Sequence, residues 1–311
     1  MRCTLTKEKQ YSWLLDLSEV DPGKKLVPLP DDSHRDGQWA AVANAQGTLL
    51  LTAGFDGKAI IWRPSVDDNK KWQPETLLFG ASPSDKNAAI YAAALAADDR
   101  DLVLGTFGGK IRRWHDEGGG FVEQDLLLDA EDPIRTLAYS RDGTRLVAGD
   151  ESGLLRIWRI AEGRYQRERS VSAHKGTIYS ARFTDDGRLL TGGSDGRGYL
   201  WSKVNGSFDR KRRLGLEGPR AEVVSVAFES DGNLVAASDA DGYVHLWTLG
   251  MPGLVKQACA VLGRNLSKKE WDRYLGKADY ECTCPNLPPT PDVKGAVVDG
   301  ETGCAALTKA E

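Results

Sequence analysis

Between residues 172 and 201 the chain reads SAHKGTIYSARFTDDGRLLTGGSDGRGYLW, and its apolar positions fall in three short bursts. Ile178, Ala181 and Phe183 mark a first buried strand, and the Asp185-Asp186-Gly187 run turns the chain. A second burst, residues 189–193, ends at a tight turn at Asp195-Gly196, and a third runs to Trp201. The pattern predicts three antiparallel strands within about thirty residues.

The same wording recurs around other tryptophans: GFDGKAIIW ends at Trp62, TFGGKIRRW at Trp114, GDESGLLRIW at Trp158 and SDADGYVHLW at Trp247. Successive intervals are 52, 44, 43 and 46 residues. This register places inner strands at 38–43 and 88–96 in the first two repeats, and sets the later repeats at 133–158, 174–201 and 222–247. Residues 88–96 are alanine-rich and locally favour helix, but the Trp114 anchor assigns them to a sheet. Residues 1–30 read as the end of a repeat whose innermost strand has no counterpart, with a hairpin over 2–6 and 11–17 and an outer strand at 25–29.

After residue 249 the period becomes helical. Leu254, Val255, Ala258, Cys259 and Leu262 share one face, and Ser267 with Glu270 forms a capping box that opens a second helix presenting Trp271, Tyr274 and Leu275. Residues 291–311 are small, polar and without period, a composition expected to be disordered.

A period of about 40–45 residues with a Trp closing a strand resembles the WD-repeat β-propellers. Residues 11–249 carry the resemblance, although Trp is followed by Asp in none of the five repeats. The resemblance implies an all-β, WD40-type β-propeller with five full repeats, a partial N-terminal blade and a short C-terminal helical tail. Seven blades would need about 315 residues, so an incompletely closed ring is expected. The expected domains are a propeller over 1–250, a helical tail over 251–290 packed on it, and disorder over 291–311.

The string ACAVLGRNLSKKEWDRYLG, followed by YECTCPNLPP, resembles the tail of bacterial WD-repeat proteins. In that group the propeller commonly ends a larger polypeptide carrying a STAND-type NTPase or a caspase-like protease. No NTPase motif lies in this chain, so the resemblance implies an effector or NTPase part missing from it or carried on another chain.

WD repeats hold each blade with a buried tetrad of His, Ser or Thr, Asp and Trp. Carried over, the resemblance assigns His174, Thr191, Asp195 and Trp201 in the fourth repeat. It assigns Thr52, Asp56 and Trp62 in the first, with His34 completing the set, and only Asp241 and Trp247 in the fifth. A His-Thr-Asp set also invites an enzyme reading, but recurrence in two repeats and decay in three suits a scaffold device. Family members commonly bind partners on the face reached by the residues flanking the central apolar position of each inner strand. Here that rule names Gln38 and Ala40, Ala89 and Tyr91, Pro133 and Arg135, Thr177 and Tyr179, and Glu222 and Val224, of which Tyr91, Arg135 and Tyr179 are residue types that dominate interface hot spots.

Composition narrows the function classes. The net charge of −4, with both signs interspersed, gives no general attraction to nucleic acid. Arg210-Lys211-Arg212-Arg213 lies where an outer strand needs charge against sheet-to-sheet association. No apolar run has the length of a membrane span and no signal peptide opens the chain, so cytoplasmic placement is expected. Five scattered cysteines, at 3, 259, 282, 284 and 304, imply no disulfide framework, and Cys282-Thr283-Cys284 lacks the four ligands of a zinc site. Reduced, metal-free thiols are expected. The glycine runs lack the context of a phosphate loop, and nothing calls for a cofactor.

The leading expectation is a non-catalytic protein-interaction platform, the sensing end of a bacterial signalling or defence system. An independent assembly scaffold and a propeller enzyme are the rivals.

Overall fold

The computed structural model describes residues 13–15, 26–28, 34, 37–65, 72–79, 86–124, 126–204, 207–229, 233–249, 259–260, 264–275, 284 and 287. Near the N-terminus β1 (Trp13–Leu15) pairs antiparallel with β2 (Leu26–Pro28), Trp13 lying opposite Pro28. Five antiparallel sheets follow. The first is β3 (Gln38–Ala43), β4 (Leu50–Gly54), β5 (Lys58–Pro64) and β6 (Trp72–Phe79). The second runs β7 (Ile90–Leu95), β8 (Asp101–Thr106), β9 (Lys110–Asp116) and β10 (Phe121–Glu123), with β11 (Leu128–Asp129) also on β9. The third is β12 (Ile134–Tyr139), β13 (Arg145–Asp150), β14 (Leu154–Ala161) and β15 (Arg164–Ser172). The fourth is β16 (Ile178–Phe183), β17 (Leu189–Gly193), β18 (Gly198–Val204) and β19 (Ser207–Leu216). The fifth has three strands, β20 (Val223–Phe228), β21 (Leu234–Asp239) and β22 (Val244–Thr248). The fold is an all-β, WD40-type β-propeller of five blades. The alanine-rich segment is strand β7, preceded by a single 3-10 turn at Lys86–Ala88.

The tryptophan register holds. Trp62, Trp114, Trp158 and Trp201 pair with Leu50, Leu102, Leu146 and Leu189, and all four are buried. Trp247 in β22 is half-buried. Burying one indole removes about 150–250 Å² from water, so these residues dominate the contribution of each sheet to the core.

Successive sheets meet through their innermost strands, β3 on β7, β7 on β12, β12 on β16 and β16 on β20. Between the third and fourth, for example, Val147, Leu155 and Ile157 lie in one cluster with Ile178, Ala181, Phe183 and Leu189. Side-chain hydroxyls stitch the same joints: the Ala181 amide donates to Thr136 Oγ1 at 3.1 Å and the Val226 amide to Ser180 Oγ at 3.2 Å. The approach is close enough to exclude a methyl group at one repeated place. A Cβ on Gly105, Gly149 or Gly192 would meet Ile134, Ile178 or Val223 of the next sheet at 2.5, 2.7 and 2.5 Å.

The fifth sheet differs on one flank. Val244 and Leu246 are 66% and 63% exposed, whereas their counterparts Leu155 and Ile157 are at 0% and 1%. Where the second, third and fourth sheets have glycine, the first has Ala53 and this one Ser238. Among the described residues, β3 and β20 share no contact of the kind that joins successive sheets.

The C-terminal segment corrects one expectation. Cys259 and Cys284 form a disulfide, with Cα atoms 5.4 Å apart, instead of free thiols. Buried Asn265 explains how the two ends are held: it accepts the Cys284 amide at 2.8 Å and donates to the carbonyls of Cys284 and Leu287 at 3.0 and 2.8 Å. The helix α1 (Lys268–Leu275) begins at the expected capping box, with Ser267 N donating to Glu270 Oε2 at 2.8 Å and Glu270 N to Ser267 Oγ at 3.2 Å. The Arg264 guanidinium and these Ser267 contacts hold the Glu270 carboxyl well below the usual range. The first expected helix, Cys282 and the 291–311 tail lie outside the described residues or mostly so.

Candidate interaction face

Each sheet ends in a tight β-turn between its second and third strands, and those turns carry the candidate face. One hydrogen bond repeats five times: the first turn residue donates its amide to the carbonyl just before the inner strand. The pairs are Phe55 to Gly37, Phe107 to Ala89, Glu151 to Pro133, Ser194 to Thr177 and Ala240 to Glu222, at 2.8 to 3.1 Å. Counting two residues on from each acceptor gives the equivalent positions Trp39, Tyr91, Arg135, Tyr179 and Val224. In the first four sheets this residue sits at a register shift of the inner strand, the bulge that turns its side chain outward.

This frame corrects the first repeat. Gln38 is buried, 6% exposed, at the place of Ile90, Ile134, Ile178 and Val223, and the outward position belongs to Trp39, 55% exposed. Trp39 was missed because a polar residue followed by an aromatic one reads as surface followed by core. The available signal was the turn: Phe55 aligns with Phe107, which fixes Gly37 opposite Ala89.

Four of the five turns are built in two ways. In the first and fourth sheets the full tetrad forms. Trp62 Nε1 and Trp201 Nε1 donate to Thr52 and Thr191 Oγ1 at 2.8 and 3.0 Å. The hydroxyls lie 3.0 and 2.9 Å from His34 and His174 Nε2, whose Nδ1 atoms lie 3.1 and 2.8 Å from Asp56 and Asp195 Oδ1. Only one assignment gives each donor an acceptor: the indole donates to the hydroxyl, the hydroxyl to Nε2, and Nδ1–H to the carboxylate. Burial raises the Asp195 carboxyl, but the hydrogen bond from His174, with the Lys175 and Arg197 amides, outweighs it and the net shift is downward. His174 and Thr191 are almost wholly enclosed, so this set braces a turn and offers a substrate no approach.

The third and fifth sheets use a different device. Buried Asp150 accepts the amides of Ser152 and Leu154 on Oδ1 and pairs with Arg156 through Oδ2. Asp239 does the same with the amides of Asp241 and Tyr243, and with His245 Nε2 at 2.8 Å. Asp241 therefore does not serve as a tetrad acid: its side chain is exposed, and Asp239, two residues earlier, is the buried one. With no Thr or His to meet it, an Asp at position 241 has no reason to turn inward.

On this frame four aromatic rings form a continuous band. Trp39 lies 5.2 Å from Phe55 and 5.6 Å from Tyr91, and Tyr91 lies 5.1 Å from Phe55 and 5.7 Å from Phe107, centroid to centroid. The Arg135 guanidinium stacks on Tyr91 at 4.1 Å and is held by Glu151, Nε to Oε1 at 2.7 Å. Further round, Tyr179 donates its hydroxyl to Glu222 Oε2 at 3.1 Å. Burial first, then Glu222, raises the Tyr179 hydroxyl pKa. Of the expected face residues, then, Tyr91 and Arg135 come together with Trp39, Tyr179 and Glu222 form a separate pair, and Gln38 turns inward.

Elsewhere charged groups of the sheets have plain roles. Asp98 Oδ1 accepts the Arg100 amide and Asp99 accepts from Asn44, so this acidic pair shapes a turn. The backbone of residues 210–213 lies in β19. Among the described residues no helix is long and apolar enough to cross a membrane, and no three His, Cys, Asp or Glu side chains gather as a metal site.

Comparison with known proteins agrees with the repeat architecture. Residues 126–159, 165–202 and 210–248 match the family described as WD domain, G-beta repeat. The chain is 28% identical over 164 residues to WD repeat-containing protein SL1-17 of Schistosoma mansoni, covering 53% of this chain and 50% of that protein. It is 22% identical over 206 residues to the Target of rapamycin complex subunit wat1 of Schizosaccharomyces pombe, covering 64% of this chain and 61% of that one. It is also 26% identical over 190 residues to Apoptotic protease-activating factor 1 of Rattus norvegicus, 60% of this chain but 14% of that protein. The chain thus spans between half and about three-fifths of the first two relatives.

Proposed function

We propose that this chain is a non-catalytic protein-interaction platform that holds its partner on the face centred on Trp39, Tyr91 and Arg135. The observation that carries the reading is the band of four rings with a stacked arginine, displayed by five turns that repeat one backbone hydrogen bond. Aromatic residues and arginine dominate interface hot spots because they bury large area with few rotors to freeze. A sheet scaffold supports them rigidly. The naming of one relative as a complex subunit supports the same reading.

A finer proposal makes the chain the sensing end of a bacterial signalling or defence system with its effector or NTPase part elsewhere. It rests on the resemblance of the 258–290 tail and on the small share of a protease-activating factor that this chain matches. The relatives named above are eukaryotic. Cytoplasmic placement belongs to the same proposal, and the Cys259–Cys284 bridge weighs against it, since disulfides persist mainly in oxidising compartments.

Partner capture tests the reading. Immobilised wild type is compared with Trp39→Ala, Tyr91→Ala, Arg135→Ala and Tyr179→Ala under one salt condition. Loss of a partner with the first three is expected, and equal recovery by all variants refutes the face.

A further inference from the structure

A cavity of 530 Å³ opens beside the aromatic band, at the joint between the second and third sheets. Its walls include Phe107, Pro133, Lys110, Arg112, Glu131 and Glu151. That volume lies within the roughly 300–1,000 Å³ of ordinary ligand pockets. Phe107 belongs to both features: it lines the cavity, and its ring lies 5.7 Å from Tyr91.

The charges around the cavity are almost matched, and the exception decides the ligand. Lys110 faces Asp129 at 4.0 Å, Arg112 pairs with Glu123 at 2.8 Å, and Arg135 is held by Glu151 while stacked on Tyr91. Each nearby cation therefore already has its carboxylate. Glu131, exposed and lining the cavity, makes no hydrogen bond or ion pair among the described residues. An anionic ligand would have to break an existing pair to find a cation. A cationic one finds a free carboxylate beside an aromatic ring, and both attract it.

We infer that this cavity receives a lysine or arginine side chain of a partner peptide, with Glu131 taking the charge, Phe107 the methylene stem, and a neighbouring apolar residue lying across Tyr91, Phe55 and Trp39. The inference rests on the interaction face above and adds the chemistry of what that face selects. Long basic side chains suit it because they lay an apolar stem on apolar surface while keeping the charged head at a polar group. Because the Glu131 contact is exposed, its strength falls with ionic strength, whereas the aromatic part does not.

The test uses blocked tetrapeptides, Ala-Phe-Lys-Ala, Ala-Phe-Gln-Ala and Ala-Phe-Glu-Ala, titrated into the full chain and followed by the emission of exposed Trp39 and by calorimetry. The lysine peptide is expected to bind about tenfold more tightly than the glutamate peptide, equivalent to about 1.4 kcal/mol. Glu131→Gln, which disturbs no internal contact, should reduce that ratio to about twofold and leave the glutamine peptide unchanged. Equal binding of all three peptides, binding of none, preference for glutamate, or an unaltered ratio in Glu131→Gln overturns the inference. Calorimetry on Trp39→Ala separates the two levels of argument: if that variant binds less while charge preference is absent, the face stands and the basic specificity falls. If it binds peptide as wild type does, the face itself is misplaced.

Discussion

Thr191 is the pivot of the fourth sheet's turn, and replacing it with valine measures what the tetrad contributes. The hydroxyl accepts from Trp201 Nε1 at 3.0 Å and lies 2.9 Å from His174 Nε2, and Thr191 and Trp201 are at 0% exposure with His174 at 4%. Thr191→Val keeps the shape but leaves an indole N–H and an imidazole nitrogen without partners. Each orphaned buried group costs about 1–3 kcal/mol. A methyl in place of the hydroxyl recovers part of this, so the expected loss is about 2–4 kcal/mol. At about 2–4 °C per kcal/mol for a domain of this size, the melting temperature should fall by roughly 5–15 °C. Urea denaturation should show a lower midpoint at an unchanged slope, and Thr191→Ser, which keeps the oxygen, should retain most of the stability. A Thr191→Val loss below about 0.5 kcal/mol would refute the view that this network braces the turn.

Further consequences follow from the joints and the charges. Gly149→Ala places a Cβ 2.7 Å from that of Ile178 and should cost about 1–3 kcal/mol of stability, whereas Ser238→Ala on the open flank of the fifth sheet should be nearly neutral in the same urea series. The Asp195 carboxyl is lowered from its usual 3.8, so its contribution is fully present above that value and is lost as pH falls through the lowered one. Asp195→Asn should therefore flatten the acid limb of the stability profile between about pH 5 and 2, measured by urea midpoints across that range. Reduction of Cys259–Cys284, or Cys284→Ser, should weaken hydrogen-exchange protection of the Cys284 and Trp271 amides, which bond Asn265 Oδ1 and the Ser267 carbonyl.

Much of this was legible because the sheets repeat. The fourth repeat set the phrasing, and its second strand is observed at the expected bounds, Leu189–Gly193. Alanine-rich β7 was assigned against local propensity because tertiary register outweighs tenths of a kcal/mol per residue. The misreadings arose where the local pattern departs from the repeat. At Gln38-Trp39 the usual apolar-in, polar-out order is reversed, because Trp39 finds rings on the surface at Phe55 and Tyr91. In SDADGYVHLW two aspartates compete for one turn, and only the positions of amides and His245 select Asp239 over Asp241. The Cys259–Cys284 bridge joins residues 25 apart, a pairing that spacing does not encode.

Carbene footprinting of the chain with a captured partner tests the central claim most directly. The account predicts loss of labelling at residues 37–39, 55, 89–91, 107, 131–135 and 151, with the outer strands β6, β15 and β19 labelled as in the free protein. Protection confined to those outer strands, with Trp39 and Phe107 still labelled, would contradict it.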